Sequence, residues 1–226
     1  MLKHPIKTAL GLRNYHRFIK SSENLFPQYK KCLTIPDEGM FRDKIAQQTT
    51  GPLLGLGFCL KPYNREDGSL SCPSGHANHE CLYLETGETQ YICNDCAIAK
   101  IAKQGLTFGC SVYIMTSAKD IAVDFLLPQI DKGLFPTAFL LLCPYSVQAI
   151  LPSLLICGIN AHLLAYDSGY CKDYNEWRLA DLGTKQDRTT LSQESLENLL
   201  DLLGKSRIPK IPAQSFGRKG NIFYPK

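Results

Sequence analysis

Four cysteines, Cys72, Cys81, Cys93 and Cys96, stand close together with spacings of x8, x11 and x2. Thiolates are the ligands of tetrahedral zinc, and a Cys-x-x-Cys turn presents two of them from one knuckle. The set lacks the second Cys-x-x-Cys pair that makes such modules easy to recognise. His76 and His79 lie within the same stretch and are alternatives to Cys72. The spacing predicts a structural zinc site at Cys72, Cys81, Cys93 and Cys96.

A rival centre takes Cys93 and Cys96 together with Cys143 and Cys171. Cys143 follows the apolar run Ala138–Leu142, and Cys171 follows Ala161–Tyr166. Residues just past strand ends lie where parallel sheets build their sites. Four thiolates there suit an iron–sulfur cluster. A bare redox dithiol is the third chemistry, because a helix start at Ala97 favours a thiolate at Cys96. The preceding Gln90–Ile92 is too short and polar for the buried strand that usually leads into such a dithiol. Against all three stands the reading that most of these cysteines are small buried hydrophobes, as expected for Cys110 and Cys157. Cys32 has no local partner.

The same strand ends predict a ligand pocket beside Ser117, Cys143, Tyr145 and Cys171. Helices begin near Ser117 and Tyr145, so free backbone donors face that space, where an anion or carboxylate binds well. Asp95, Asp167, Tyr170 and Asp173 could line the same edge, although loop solvation is the favoured explanation for them. No catalytic residue is assigned. The chain has no Gly-x-Gly-x-x-Gly fingerprint, no Walker-type phosphate loop and no nucleophile–base motif.

The elements that must position these residues have uneven signals. Leu2–Lys31 has loose helical spacing and reads as an arm packed on the body. Pro36-Asp37-Glu38 opens a helix over Glu38–Gln47. Leu53–Leu60 is a strand weakened by its glycines. Leu82–Leu84 and Thr89–Ile92 flank Glu85-Thr86-Gly87-Glu88 and read as a hairpin that brings Cys81 to Cys93. A helix follows over Ala97–Gln104. From Gly109 the rhythm is strand, helix, strand, helix, with parallel strands at 111–116, 138–142 and 161–166. Ser117 caps the helix Lys119–Ile130, which Pro128 disturbs. Pro152 kinks or divides Tyr145–Ile156. His162 sits in an apolar strand and satisfies a core hydrogen bond. Asp167–Arg188 reads as irregular. Thr190-x-x-Gln193 is a capping box for a helix whose stripe is Leu196, Leu199, Leu200 and Leu203, ended by Gly204. Phe216 and Phe223-Tyr224 anchor an otherwise extended tail.

The segments Cys93-Asn94-Asp95-Cys96-Ala97-Ile98, Val112–Ala118 and Leu140–Tyr145 together resemble an uncharacterised prokaryotic family, number 116 among the domains of unknown function. The resemblance covers about residues 70–170, with Cys93, Cys96 and Cys143 at the family's cysteine positions. The chain departs from it at Thr116-Ser117-Ala118, where members carry a glycine-rich turn. The resemblance implies a cytoplasmic metal-binding α/β protein and no particular reaction.

The chain has 226 residues, 44% of them hydrophobic, enough to bury a core without disulfide staples. No apolar run is long enough to span a bilayer, so no membrane partner is expected. The N-terminus does not read as a signal peptide, and the chain is expected in the cytoplasm. Seven Lys/Arg against one acid in residues 1–31, and six against none in 205–226, flank an acidic body. Basic ends of this kind are more often solvated than bound to nucleic acid, which is an unlikely partner. The oligomeric state is open.

The sequence therefore predicts an α/β fold, with a mainly parallel sheet flanked by helices and a small cysteine-rich metal knuckle. It divides into a helical arm (1–50), a metal-binding module (51–105), an α/β domain (106–204) and a basic extended tail (205–226). The expected function is that of a metal-binding protein with structural zinc and a small-molecule or anionic-ligand pocket at the sheet edge. An iron–sulfur or thiol-based redox enzyme and a non-enzymatic interaction protein are the alternatives.

Overall fold

A computed structural model of the chain describes residues 5–21, 31–48, 50–63, 71–88, 90–205 and 215–226. Most of the predicted turn region 61–71 and part of the basic tail, 206–214, fall outside the described residues. The described strands form one seven-stranded sheet: β1 (Cys32–Ile35), β2 (Leu53–Gly57), β3 (Ser111–Met115), β4 (Thr137–Leu142), β5 (Asn160–Ala165), β6 (Phe216–Lys219) and β7 (Ile222–Pro225). Their order is β1-β5-β4-β2-β3-β7-β6.

The three predicted strands are present, and they run parallel with β2 in the centre of the sheet. The expectation of a mainly parallel sheet is corrected. β1 pairs antiparallel with β5, β7 with β3, and β6 with β7, so the sheet is mixed. The reason lies at the edges. Four parallel strands with covered faces still have two open edges, and short segments from near either end of the chain close them. Gly220-Asn221 makes the tight link between β6 and β7, with Gly220 at φ +61°.

Helices cover both faces. α1 (Pro5–Ser21) packs on α7 (Pro144–Ile156). The disturbed run α5 (Ala118–Ile121) and α6 (Leu127–Lys132) lies on the same side. α2 (Glu38–Gln47), α3 (Leu82–Thr86), α4 (Ala97–Thr107) and α9 (Gln193–Lys205) cover the other face. Strand residues alternate between the two cores. Leu54, Leu56, Val112, Ile114, Phe139 and Leu141 face one side, and Leu53, Tyr113, Met115, Ala138 and Leu140 the other. Burial on both faces is why these strands read as continuous apolar runs.

Several helix predictions are met. Asp37 caps α2 by accepting from Met40 N at 2.8 Å. Ser117 caps α5 by accepting from Asp120 N at 3.1 Å. Pro128 does not end the following helix. A π turn over Ala122–Leu126 precedes α6 and absorbs the proline near its start. Pro152 lies inside an undivided α7.

Three local predictions are corrected. Leu82–Thr86 is a helix, not the first strand of a hairpin, and Tyr91–Asn94 is a short 3-10 turn. Gly87, at φ +74°, is a left-handed helix cap donating to Tyr83 O, not the centre of a β-turn. Asp167–Arg188 contains α8 (Tyr174–Asp181), capped by Asp173 accepting from Glu176 N at 2.9 Å. The cap of α9 is Ser192, not Thr190. Its hydroxyl accepts from Ser195 N at 3.1 Å, while Asp167 accepts from Ser192 N at 2.8 Å and Ser195 Oγ at 3.0 Å. Thr190 instead bridges to Ser168. The predicted stripe holds: Leu199 and Leu203 are fully buried, with Leu196 and Leu200 packed beside them. Among the described residues, no helix is long and apolar enough to cross a membrane.

Candidate functional site

The parallel strands have the spatial order β5-β4-β2-β3. From β2 the chain moves to β3 on one side, then returns past β2 to β4 on the other. Connections therefore diverge at the carboxyl ends of β2 and β4, the topological switch point where open α/β sheets bind ligands. Cys59 lies just beyond β2, and Cys143 is the residue after β4.

A cavity of about 360 Å³ opens here. Gly57, Cys59, Leu142 and Cys143 form its sheet-side wall. Met115 and Thr116 come from the end of β3. Tyr145, Ser146, Ala149 and Ile150 come from α7, and Tyr174, Trp177 and Ala180 from α8. Cys171 and Tyr166 complete the thiol-bearing end. Of the residues expected at this pocket, Cys143, Tyr145 and Cys171 line it. Thr116 and Ala118 line it on either side of Ser117, whose hydroxyl donates to Asp120 Oδ2 at 2.7 Å. Asp173 and Asp167 hold helix caps, and Asp95 pairs with Lys100 at 3.6 Å.

Cys59 was not singled out by sequence, yet it completes a group of three thiols. Cys143 hydrogen-bonds with both Cys171 and Cys59. The Cys171 backbone N–H also points at Cys143 Sγ, at 3.4 Å. The hydrogen bond with Cys143 lowers the Cys59 thiol to about 7. Burial opposes that shift, while Thr189, Tyr166 and the Lys185 charge assist it. The interaction of Cys171 with Cys143 lowers Cys171 as well, against burial. Cys143 holds the proton, and its own value is raised. The signal that points to Cys59 is its place after the central strand, which the glycines of Leu53–Gly57 obscured.

Two features fix this end. Tyr166 is buried, donates to Leu141 O at 2.8 Å and accepts from Gly57 N at 3.1 Å. A side chain at Gly57 would begin 2.3 Å from that hydroxyl, which is why the strand ends on glycine. Lys185 is buried, and its ammonium donates to two carbonyls, Gly169 O and Asp187 O.

Four other cysteines gather separately. Cys72, Cys81, Cys93 and Cys96 line one small cavity of about 20 Å³ beside Lys61. The rival set of Cys93, Cys96, Cys143 and Cys171 is thus divided: the first two line this cavity and the last two line the larger one. Burial pushes Cys81 up to about 11 and also raises Cys96. The backbone N–H groups of Leu84 and Tyr83 near Cys81, and of Ala99 and Ile98 near Cys96, pull the other way, although neither side chain makes a cap hydrogen bond. Lys61 is 3% exposed and donates to Gly75 O at 2.9 Å. Burial lowers its pKa, and the nearby Cys72 and Cys81 sulfurs oppose that. His76 and His79 are engaged elsewhere, with Ala180 O at 2.8 Å and Ile114 O at 2.7 Å. Among the described residues, no group of three or more His, Cys, Asp or Glu is arranged to hold a metal ion. A metal knuckle is therefore not shown; four cysteines on one small cavity are. His162 makes the expected bond, with Thr34 Oγ1 at 2.8 Å, while its Nε2 is buried without a partner.

Comparison of the chain with family models, curated proteins and solved structures found no match.

Proposed function

We propose that the chain is a metal-stabilised α/β protein that takes a small molecule into the sheet-edge cavity. The cavity's place at the switch point carries this reading. It has mainly apolar walls and a cluster of polar, titratable groups at one end, the usual composition of a ligand site. The ligand class is an apolar body with a small polar or anionic group directed toward Cys59, Cys143 and Cys171.

Zinc at Cys72, Cys81, Cys93 and Cys96 is the structural half of the proposal. Four thiolates on Zn²⁺ carry a net charge of about −2, and the buried Lys61 ammonium is the counter-charge such a site needs. The backbone N–H groups near Cys81 and Cys96 favour thiolates over thiols. Binding would draw the sulfurs to about 2.3 Å from the ion. The separation of the two cysteine groups favours zinc here over an iron–sulfur cluster drawn from both. Free thiols at all ten cysteines fit a reducing compartment such as the cytoplasm.

Trp177, the chain's one tryptophan, lines the cavity and reports on binding. Anilinonaphthalene sulfonate, an apolar body with an anionic group, is the probe. Expected are saturable binding with energy transfer from Trp177, and binding weakened about tenfold or more by Ala149→Phe, which fills the cavity. Unsaturable binding, or equal binding by the variant, would remove the ligand reading. For zinc, the expected content is one ion per chain, lost in Cys96→Ser. Zinc-free, fully folded protein as purified would remove that half.

A further inference from the structure

We propose that Cys59 and Cys143 form a dithiol–disulfide couple on the wall of the sheet-edge cavity, with Cys59 attacking small-molecule disulfides. The inference rests on the cavity being the ligand site and assigns chemistry to it.

Three observations carry it. First, the residues leave adjacent parallel strands, β2 and β4, at the same end, where neighbouring strands lie about 4.8 Å apart. Their sulfurs share a hydrogen bond. Second, access differs. Cys59 is only partly buried on the cavity wall, whereas Cys143 is 7% exposed and Cys171 1%. An incoming disulfide meets Cys59 first. Third, the surroundings favour charge on Cys59. Cys143 hydrogen-bonds to it, and the Lys185 ammonium, held by two carbonyls, lies nearby. Titratable groups around this end also include Cys171, Tyr63, Tyr145, Tyr166 and Glu176, and the Arg188 guanidinium lies 3.7 Å over the Tyr63 ring.

The reaction balances with a disulfide RSSR as oxidant. The Cys59 thiolate attacks one sulfur, the S–S bond breaks and RS⁻ leaves. RS⁻ takes the Cys143 proton to become RSH. The Cys143 thiolate then attacks the Cys59 sulfur of the mixed disulfide, forming Cys59–Cys143 and releasing a second RS⁻, which solvent protonates. Two electrons pass from the cysteine pair to RSSR. A low-molecular-weight thiol in excess reverses the exchange and restores the dithiol.

The test uses the full chain carrying Cys32→Ser, which removes the exposed thiol, and 2-hydroxyethyl disulfide as oxidant. The expected products are two mercaptoethanols per chain and a Cys59–Cys143 disulfide in the peptide map. Cys143→Ser stops at a mixed disulfide on Cys59, with one mercaptoethanol released. Alkylation of Cys59 by iodoacetamide has a midpoint near pH 7. Cys143→Ala moves that midpoint up by about one unit, because the hydrogen bond is gone. Circular dichroism verifies that each variant is folded. A disulfide mapped to Cys143–Cys171, an unmodified Cys59 while other cysteines react, or stoichiometric iron on these cysteines as purified would each overturn the proposal. The two readings fail separately: anilinonaphthalene sulfonate binding and its loss in Ala149→Phe test the cavity, and the mapped Cys59–Cys143 disulfide tests the thiol chemistry.

Discussion

Asp167 illustrates how one side chain ties several segments together. It accepts from Lys31 Nζ at 2.7 Å, as well as from Ser192 N and Ser195 Oγ. Burial pushes its carboxyl up, but these donors outweigh burial and hold it at about 2, below the ordinary 3.8. The unfolded chain has the ordinary value, so the native state favours the ionised form. The resulting stabilisation is present in full above about pH 4 and is lost as pH falls toward 2. Asp167→Asn is expected to cost about 1–2 kcal/mol at pH 7, with a smaller difference from wild type at pH 3, measured by urea unfolding. Gly57 is the second residue of this kind. Gly57→Ala forces the Tyr166 hydroxyl away from β2 and disturbs its bonds to Gly57 N and Leu141 O. The expected loss is about 1–3 kcal/mol, with an upward shift of the Cys59 alkylation midpoint.

At the scale of the element, helix ends decide where the site's side chains stand. Cys143 precedes α7 with Pro144 at its first turn, so the thiol is held where strand becomes helix. Ser117 occupies the matching place after β3, but its hydroxyl caps α5 and meets Asp120. Ser117→Ala should therefore cost about 1 kcal/mol in thermal or urea unfolding and leave anilinonaphthalene sulfonate affinity unchanged. A large loss of affinity in the folded variant would return Ser117 to the pocket. α8 supplies Trp177 to the cavity, and its cap, Asp173 with Glu176, was readable as Asp-x-x-Glu once a helix was sought there.

At the scale of the molecule, one sheet joins segments that composition would divide. The carboxyl-terminal hairpin closes the β3 edge, with Phe223 fully buried and Phe216 nearly so. Arg218 ties the same hairpin to Glu80 and, at 2.7 Å, to Glu85. Removal of residues 215–226 leaves β3 unpaired along that edge and uncovers its apolar neighbours. The expected outcome is aggregation on expression or loss of cooperative unfolding. Phe223→Ala, a milder change, should cost about 3–5 kcal/mol in urea unfolding while preserving the fold.

Local sequence was sufficient for the buried strands after Gly109, because apolar runs covered on both faces have an unmistakable composition. It was also sufficient for α2, where the capping residue was legible, and for α4 and the stripe of α9, where the side-chain period is helical. It placed Cys143, Tyr145 and Cys171 at the carboxyl edge through strand direction alone. Tertiary structure decided the rest. The antiparallel edges depend on which distant segment reaches an open strand, and four-residue strands such as Cys32–Ile35 have too little pattern to announce that. Leu82–Thr86 follows its capping glycine and its packing, not the strand-like look of its neighbours. The grouping of seven of the ten cysteines into two sites depends on the return of the chain past β2, which brings Cys59 beside Cys143 across a long separation in sequence. Spacing along a chain describes only ligands that are near one another in sequence; a site at a switch point is made by strand order.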